Sequence, residues 1–523
     1  MKRCKMLFYN GLDGLIVISF FIIVMSFLFF TKTLSSGYHF IDDHEMLVIN
    51  SDLKNASLLP TCIKWMENDL IQRFRPLYYV HRVLEIRVFG VDFFALSFYT
   101  GILATFTFSL FYLAARKLKY SVFESLIFVL LTFVGPQATI WWMLGPSETI
   151  GMVFLGLSFY FMATCIEGNN SLIKNILFVL FLIAASLCKE SFIIIIPAFV
   201  LYKICNEQQV FGISINKSIR NNLILLLPIV AMIIELWVIF FIVGTNKIRY
   251  AGLISNSQEL FSGFKRIISN KDMLTPWFEL TVVSSLIYFL DLIFSQAEWR
   301  SRIKQSFKDI GVALAFALLI LMPNVLLYAK SGISDRYERY LLPAVFGLAL
   351  FAVHVMRKTD KLLLKSIAIG VIFIFLSVMF NTAVGIASAF ASDGNQTNEL
   401  LSSIMKFAKT NSNILLVADP VNRFEVSYST RTYIAHEGID SLYAYPIIRK
   451  YNSDFELYLE KTWGEWFKNK MLNDIFGLPQ LIIFIDKSQS GRFFRESGLD
   501  QSDYENVIVA SNPHALYLKI PRK

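Results

Sequence analysis

The sequence predicts a polytopic α-helical membrane protein with a small α/β domain at its C-terminal end. Of the 523 residues, 55% are hydrophobic and only 17% are charged. In a typical soluble protein, about a quarter of all residues are charged. The chain contains many unbroken apolar runs, which are typical of helical spans and unlike the alternating pattern of a membrane β-barrel. After about residue 392 these runs give way to short β-like segments separated by polar turns. The composition therefore excludes a soluble enzyme, a disulfide scaffold and a disordered chain.

About eleven segments are long and apolar enough to be candidate transmembrane helices. They are 12–31, 93–115, 120–136, 148–165, 173–188, 191–205, 222–243, 278–295, 309–329, 340–356 and 364–391. The segment that follows Met1-Lys2-Arg3 resembles a signal peptide, but no small-residue cleavage pattern follows it. We therefore expect it to be retained as the first span.

The positions of Lys and Arg indicate the orientation of the chain in the membrane, because cytoplasmic loops are enriched in them. With the N-terminus inside, the inner segments hold 18 Lys and Arg residues, while the short outer loops hold four. The N-terminus is therefore predicted to be cytoplasmic, and an odd number of spans places the tail outside. We interpret the net charge of +9 as this orientation signal and expect no nucleic-acid partner.

The predicted organisation has two parts. Residues 1–391 form a transmembrane module with two long outer loops, 32–92 and 244–277, and residues 392–523 form an extracytoplasmic α/β domain. In that domain we predict a helix over Asn398–Lys409. The predicted strands are Ile414–Ala418, Leu481–Asp486, Val507–Ala510 and Ala515–Ile520. The abundance of Lys, Asn and Ile suggests an AT-rich genome and a bacterial host. We therefore expect the protein to lie in a bacterial plasma membrane.

Nearly all of the unusual charge falls in the predicted outer loops, where charge at a membrane edge is informative. The candidate site residues there are Asp42, Asp43, Glu45, Arg73, Arg75, Trp142, Glu148, Lys189, Glu190, Arg336, Arg339 and Tyr340. A carboxylate can take a proton from an acceptor hydroxyl or amine, and cations can bind a phosphate and stabilise the charge that leaves with it. This combination points to the transfer of a group from a lipid phosphate to an acceptor at the outer membrane surface.

Four of these motifs, in this order, resemble those of the membrane-embedded GT-C glycosyltransferases, whose members include protein O-mannosyltransferases and the lipid A aminoarabinose transferase. The motifs are Asp42-Asp43 with Glu45 nearby, Arg73-Phe74-Arg75-Pro76, Lys189-Glu190, and Arg339-Tyr340-Leu341-Leu342-Pro343. The resemblance covers about residues 1–390 in architecture, and the tail matches no family.

The resemblance implies that the donor is a sugar on a polyprenyl phosphate. We expect the transfer to invert the anomeric carbon of that sugar. The resemblance also favours the first residue of the acidic pair, Asp42, as the general base, with Asp43 a close second. From their charge and position, we expect the donor phosphate to be bound by basic residues among Arg73, Arg75, Lys189, Arg336 and Arg339. The acceptor, whether a lipid, a glycan or a protein, and the sugar itself stay open.

Each motif also has a structural interpretation. Asp42 and Asp43 fit an interfacial turn or helix cap. The run Asp42-Asp43-His44-Glu45 could instead bind Mg²⁺ or Mn²⁺, which carboxylates suit, although four neighbouring residues do not make a metal site without partners. The arginines fit anchors for phospholipid head groups. Lys189 and Glu190 fit a mutual ion pair, and Trp142 fits an aromatic belt.

Two other functions compete with glycosyl transfer. A transporter or flippase of a lipid-linked saccharide places polar groups near the bilayer midplane, and only Glu235, within a predicted span, fits that pattern. The second alternative is a non-catalytic component of surface polysaccharide assembly.

Overall fold

The computed structural model describes residues 2–71, 73–167, 171–211, 223–244, 262, 265, 275–294, 299–328, 338–408, 413–418, 424–439, 442–446 and 478–521. Its helices are α1 (Lys2–Phe30), α2 (His44–Asn55), α3 (Leu58–Leu70), α4 (Pro76–Phe89), α5 (Phe93–Lys117), α6 (Val122–Phe133), α7 (Glu148–Ile166), α8 (Leu172–Ser186), α9 (Glu190–Ile193), α10 (Ile196–Phe211), α11 (Leu226–Trp237), α12 (Thr275–Phe294), α13 (Trp299–Tyr328), α14 (Leu342–Lys358), α15 (Leu362–Phe407), α16 (Phe424–His436) and α17 (Ser490–Ser497). Two short 3₁₀ segments, Pro136–Trp141 and Glu338–Leu341, matter for the site.

Among the described residues, six helical segments are long and apolar enough to cross a membrane, and three shorter apolar helices accompany them. The six are Gly11–Phe30, Phe93–Lys117, Glu148–Ile166, Leu223–Val243, Pro276–Phe294 and Leu362–Phe407. Helix α14 has 17 residues, of which 14 are buried, so it is an interior helix of the bundle. The six long apolar segments indicate that the chain is a multi-pass integral membrane protein.

The chain forms two compact units. The first contains Met1–Phe30, Cys62–His81 and Phe98–Ala387, and the second contains Thr31–Thr61, Arg82–Ser97 and Ser388–Lys523. The second unit thus combines the C-terminal tail with two pieces of the long loop that follows α1.

Aromatic side chains fill the core of the first unit. The ring centroid of Phe346 in α14 lies 5.2–5.8 Å from those of five other rings, Phe111, Phe128, Phe159, Phe199 and Phe316. Ring pairs at these separations add to the stability gained by burying their apolar area. The abundance of Phe in the sequence therefore serves helix packing as well as contact with lipid.

The second unit is built on a five-stranded sheet with the order β2-β1-β3-β5-β4. The strands are β1 (Ile414–Ala418), β2 (Leu442–Pro446), β3 (Leu481–Phe484), β4 (Tyr504–Asn506) and β5 (Ala515–Lys519). Strands β1, β2 and β3 are parallel, and β5 and β4 are antiparallel to their neighbours. All five residues of β1 are buried, as is typical of a strand whose two faces are both covered.

The strands were largely predictable from the sequence. Strand β1 has the predicted bounds, and β3 and β5 begin where predicted. The strand predicted at Val507–Ala510 is wrong, because the pairing with β5 instead involves Tyr504–Asn506, just before that segment. Strand β2 was missed.

Loop residues complete the core on one face of the sheet. Tyr38, Phe40 and Leu47 pack in the same buried cluster as Ile414 and Leu416 of β1. The end of α15 contributes three further buried side chains, Leu400, Leu401 and Ile404. The segment before the acidic pair is therefore part of the hydrophobic core of the α/β domain.

Candidate active site

A buried ion pair joins the helices α7 and α8, which pack against each other. Glu148 is the first residue of α7, and Lys189 lies in the short connection after α8, in an extended conformation that precedes α9. The Lys189 Nζ donates a hydrogen bond to the Glu148 Oε1. Both residues are almost fully buried: 3% of the surface of Lys189 and 1% of that of Glu148 are exposed. Burial of charge at this depth requires such pairing.

Arg339 and Tyr340, in the 3₁₀ segment Glu338–Leu341, lie next to this ion pair. We call Glu148, Lys189, Arg339 and Tyr340 the charged cluster. The Lys189 Nζ lies 4.1 Å from the centroid of the Tyr340 ring, and the Arg339 Cζ lies 5.3 Å from it. The Arg339 Nη1 is 3.6 Å from the Sδ of Met143. Cations over aromatic faces in a buried site are attracted by the ring quadrupole.

The charged cluster contains more cations than its carboxylate neutralises. Glu148 interacts electrostatically with both Lys189 and Arg339, and Glu190 adds a second negative charge near Lys189. Arg73 interacts with Tyr340, so a third cation lies close by. Burial lowers the pKa of Lys189 to about 8, against the pull of Glu148. A lysine in this environment can bind an anion while it is protonated, and it loses its charge at a lower pH than an exposed lysine does.

Arg75 is already engaged by a neighbour that the sequence analysis did not single out. Its Nη2 donates to the Asp69 Oδ1 at 2.7 Å, and its backbone N donates to the Asp69 Oδ2 at 2.9 Å. The guanidinium carbon lies 5.2 Å and 5.5 Å from the ring centroids of Tyr78 and Tyr79. These contacts support a structural role for Arg75 in closing the loop between α3 and α4.

Trp142 is buried against α1 and forms part of the interior of the first unit. Its ring centroid lies 5.6 Å from that of Phe27, and only 3% of its surface is exposed. Arg336 lies outside the described residues.

The acidic pair divides into two different environments in the second unit. The Asp43 carboxylate accepts a hydrogen bond from the backbone N of His39 at 2.8 Å and lies 3.4 Å from the His39 Nδ1. Asp43 is 2% exposed. Asp43 therefore closes a tight turn, as one of its two structural interpretations expected, and its side chain does not form a capping hydrogen bond with α2.

Asp42 is half-buried and has a left-handed backbone conformation with φ of 65°. A non-glycine residue in this region is uncommon, and strained residues of this kind concentrate at functional sites. Glu45, in the first turn of α2, is also half-buried. The structure thus leaves the side chain of Asp42 more accessible to solvent than that of Asp43.

The described residues hold no group of three or more His, Cys, Asp or Glu side chains that could bind a metal ion. The carboxylate of Asp43, one of the two that were considered as ligands of a divalent cation, accepts a hydrogen bond from the His39 backbone.

Glu235 lies in α11 with 3% of its surface exposed, and its Oε1 accepts a hydrogen bond from the Ser186 Oγ at 2.8 Å. Ser186 is the last residue of α8, three residues before Lys189. The mid-span carboxyl group is thus bonded to a neighbouring helix, which was one of the outcomes expected for it.

No protein-family model matches the sequence, and no curated protein matches it either. Solved structures do match. One of them is the crystal structure of ArnT from Cupriavidus metallidurans bound to undecaprenyl phosphate, with 10% sequence identity and a TM-score of 0.52. The match covers 97% of this chain and 99% of ArnT.

The chain has the fold of ArnT. The predicted fold class, a multi-span helical protein with a C-terminal α/β region, is therefore confirmed, and so is the resemblance to the GT-C glycosyltransferases at the level of the fold. The likeness to ArnT includes the C-terminal tail, for which the sequence alone indicated no relative, because the match extends over nearly the whole chain.

Proposed function

We propose that this protein is a GT-C glycosyltransferase that moves a sugar from a polyprenyl-phosphate donor to an acceptor at the outer face of the membrane. The observation that carries the proposal is the ArnT fold, since ArnT has been solved with undecaprenyl phosphate, together with the buried, cation-rich charged cluster. A purely structural bundle does not require such a cluster, because buried ion pairs are weak contributors to stability.

The donor phosphate is proposed to bind at the charged cluster. Lys189 and Arg339 are close enough to Tyr340 to share one anion, and Arg73 would supply a further cation. Charge-assisted hydrogen bonds to phosphate are about twice as strong as neutral ones. In a buried site these cations also stabilise charge as it develops on the departing phosphate.

The acceptor is proposed to be activated by Asp42. Its carboxylate takes the proton from the acceptor O–H or N–H, and the acceptor atom attacks the anomeric carbon of the sugar. The bond between that carbon and the phosphate oxygen breaks, and its electron pair leaves with the polyprenyl phosphate. One displacement inverts the anomeric carbon. Asp43 supports this step indirectly, because it holds the turn in which Asp42 lies.

The test uses the full-length protein in proteoliposomes with a panel of synthetic undecaprenyl-phosphate-linked sugars, each radiolabelled in the sugar. Membranes from a strain that lacks the protein supply the acceptors. We expect one donor to give labelled product and free undecaprenyl phosphate. Asp42→Asn should lower kcat by at least about 100-fold, in line with the loss of a general base, while binding of undecaprenyl phosphate stays intact.

Glu67 supplies the matched control, because it is an exposed carboxylate in α3. Glu67→Gln should leave transfer unchanged. Full activity of Asp42→Asn, or of a variant in which Asp42 and Asp43 are both Asn, contradicts the proposed general base.

Transport of a lipid-linked saccharide is the second candidate, and the buried Glu235 is the observation that favours it, since intramembrane carboxyl groups often mark transport pathways. The same proteoliposomes distinguish the two functions. Movement of labelled donor across the bilayer with no cleavage of its sugar–phosphate bond, abolished by Glu235→Leu, would support transport.

A further inference from the structure

One side chain of α15 binds the backbone of the loop that precedes the acidic pair. We call residues 36–43 the acidic loop. The Asn398 Nδ2 lies 2.8 Å from the carbonyl oxygen of Ser36 and 3.3 Å from that of Tyr38. The Asn398 Oδ1 accepts a hydrogen bond from the Tyr38 N at 3.3 Å. Asn398 therefore ties both sides of Gly37 to a helix that lies some 360 residues further along the chain.

The contact between the acidic loop and α15 is too close for any side chain at two positions. A Cβ at Gly37, where φ is +74°, would lie 2.5 Å from the Asn398 Nδ2. A Cβ at Gly394 would lie 2.4 Å from the His39 Nε2 and 2.6 Å from the Ser36 carbonyl oxygen. Only glycine avoids both the backbone strain and the overlap at Gly37. The loop is therefore seated directly on the helix.

The same helix also supports the acidic pair. The His39 ring stacks on Phe390 with centroids 3.8 Å apart, and its Nε2 lies 3.2 Å from the Phe390 carbonyl oxygen. Asp43 then accepts a hydrogen bond from the His39 backbone, and Asp42 precedes Asp43 in the strained left-handed conformation. A chain of contacts thus runs from α15 through His39 and Asp43 to Asp42.

Asn398 is not needed to hold α15 on the sheet. The helix packs on the sheet through Leu400, Leu401 and Ile404, which are buried in the domain core. Asn398 itself is only half-buried, and its hydrogen bonds with other elements go to the acidic loop. Its removal should loosen the loop and leave the domain folded.

We propose that Asn398 is a positioning residue for glycosyl transfer, which holds the acidic loop so that the Asp42 carboxylate meets the acceptor. This inference rests on the proposed function. It also assigns a role to the C-terminal domain, because the domain that carries Asn398 becomes the support of the catalytic loop. A misplacement of a catalytic group by about 1 Å can cost about 100-fold in rate.

The test compares Asn398→Ala and Gly394→Ala with a matched control, Ser402→Ala. Ser402 lies one turn further along α15, is exposed, and bonds only within its helix, to the Glu399 carbonyl oxygen at 3.0 Å. The full-length variants are assayed for kcat and KM with the labelled donor, for the Kd of bare undecaprenyl phosphate, and for hydrogen exchange of residues 36–43.

We expect Asn398→Ala and Gly394→Ala to lower kcat by about 10- to 100-fold, with less than about a twofold change in the Kd of undecaprenyl phosphate. Hydrogen exchange should accelerate in residues 36–43 and not in β1 or β3. Ser402→Ala should match the wild type in every measurement.

Three results would overturn the inference. One is an Asn398→Ala variant that keeps its kcat while Asp42→Asn loses activity, which refutes the positioning role alone. Another is an equal loss of carrier binding and of kcat, with faster exchange throughout the domain, because a general structural role predicts that pattern. A wild-type protein that transfers no sugar from any donor refutes the proposed function and the positioning role with it.

Discussion

The ion pair between Glu148 and Lys189 gives the sharpest test of how the charged cluster is built. The perturbation is a set of three variants: Glu148→Gln, Lys189→Met, and the two combined. Each single change leaves a buried charge without its closest partner, which typically costs about 3–5 kcal/mol of unfolding free energy. The double variant removes both charges, and Gln and Met fill a similar volume.

The surroundings of the pair make the two single variants unequal. Without Lys189, Glu148 still faces Arg339, so we expect Lys189→Met to cost about 2–3 kcal/mol, below the usual range for a broken buried pair. Without Glu148, Lys189 and Arg339 repel each other, and Glu190 offsets part of that charge, so Glu148→Gln should cost about 3–5 kcal/mol. The double variant should lose about 1 kcal/mol, because well-packed neutral replacements of buried pairs are often tolerated.

Unfolding of the purified protein in mixed micelles, followed by the fluorescence of its buried tryptophans, measures these differences. Binding of undecaprenyl phosphate is measured on the same samples. These losses correspond to a coupling energy of about 4–7 kcal/mol in the double-mutant cycle. The double variant should regain stability while its binding of undecaprenyl phosphate stays weak, because the cation proposed to bind the phosphate is gone.

Additive losses in the cycle would refute the reasoning, since they would mean that the two side chains do not interact in the folded protein. A double variant that binds undecaprenyl phosphate as well as the wild type would refute the placement of the donor phosphate at the charged cluster. The exposed pair of Arg492 and Glu496 provides the control, because exposed ion pairs contribute little to stability.

Three further predictions follow from the same structure. Because burial lowers the pKa of Lys189 to about 8, its positive charge is present below that pH and lost above it, so binding of undecaprenyl phosphate should weaken as pH rises through about 8. In Lys189→Arg, whose side chain stays charged, this decrease should disappear. A Lys189→Arg variant that keeps the pH profile of the wild type would contradict the assignment. Asp43→Asn should lower the melting temperature by several degrees, through the loss of a charge-assisted bond worth about 1.5–3 kcal/mol, whereas Asp42→Asn should leave it unchanged; equal shifts in thermal scans would count against the division of roles. Asp69→Asn should remove the ion pair that holds Arg75 and lower the free energy of unfolding by about 3 kcal/mol, as expected for a broken buried pair. The Kd for undecaprenyl phosphate should rise no more than twofold, because Arg75 acts in the loop and not on the phosphate. A larger rise in that Kd would contradict the structural role of Arg75.

The roles of single residues were harder to predict than the fold. Lys189 and Glu190 are adjacent, and the sequence suggested a mutual ion pair, yet Lys189 bonds to Glu148 on another helix. Arg75 was expected at the phosphate, and its contacts with Asp69 support a different role. Adjacent residues in the chain often point in different directions, so proximity in sequence is a poor guide to which charges meet.

Asn398 had no signal in the sequence. It lies in the predicted helix Asn398–Lys409, and a single polar residue on a helix is usually exposed. Its partners Ser36 and Tyr38 are some 360 residues away. The structure also explains two glycines that looked ordinary in the sequence. Gly37 has a positive φ, and Gly394 lies against His39 and Ser36 of the acidic loop.

The apolar runs of the sequence by themselves determined that this chain crosses a membrane several times, because about twenty consecutive apolar residues have no other stable environment. The β-like runs likewise determined β1, β3 and β5, since strand formation in a buried sheet follows from local composition. Only the tertiary structure decided which charges lie together, as Glu148 and Lys189 do, and which helix supports the acidic loop. Such pairings depend on how distant elements pack, and hydrophobic periodicity specifies which face of a helix is buried without specifying what lies against it.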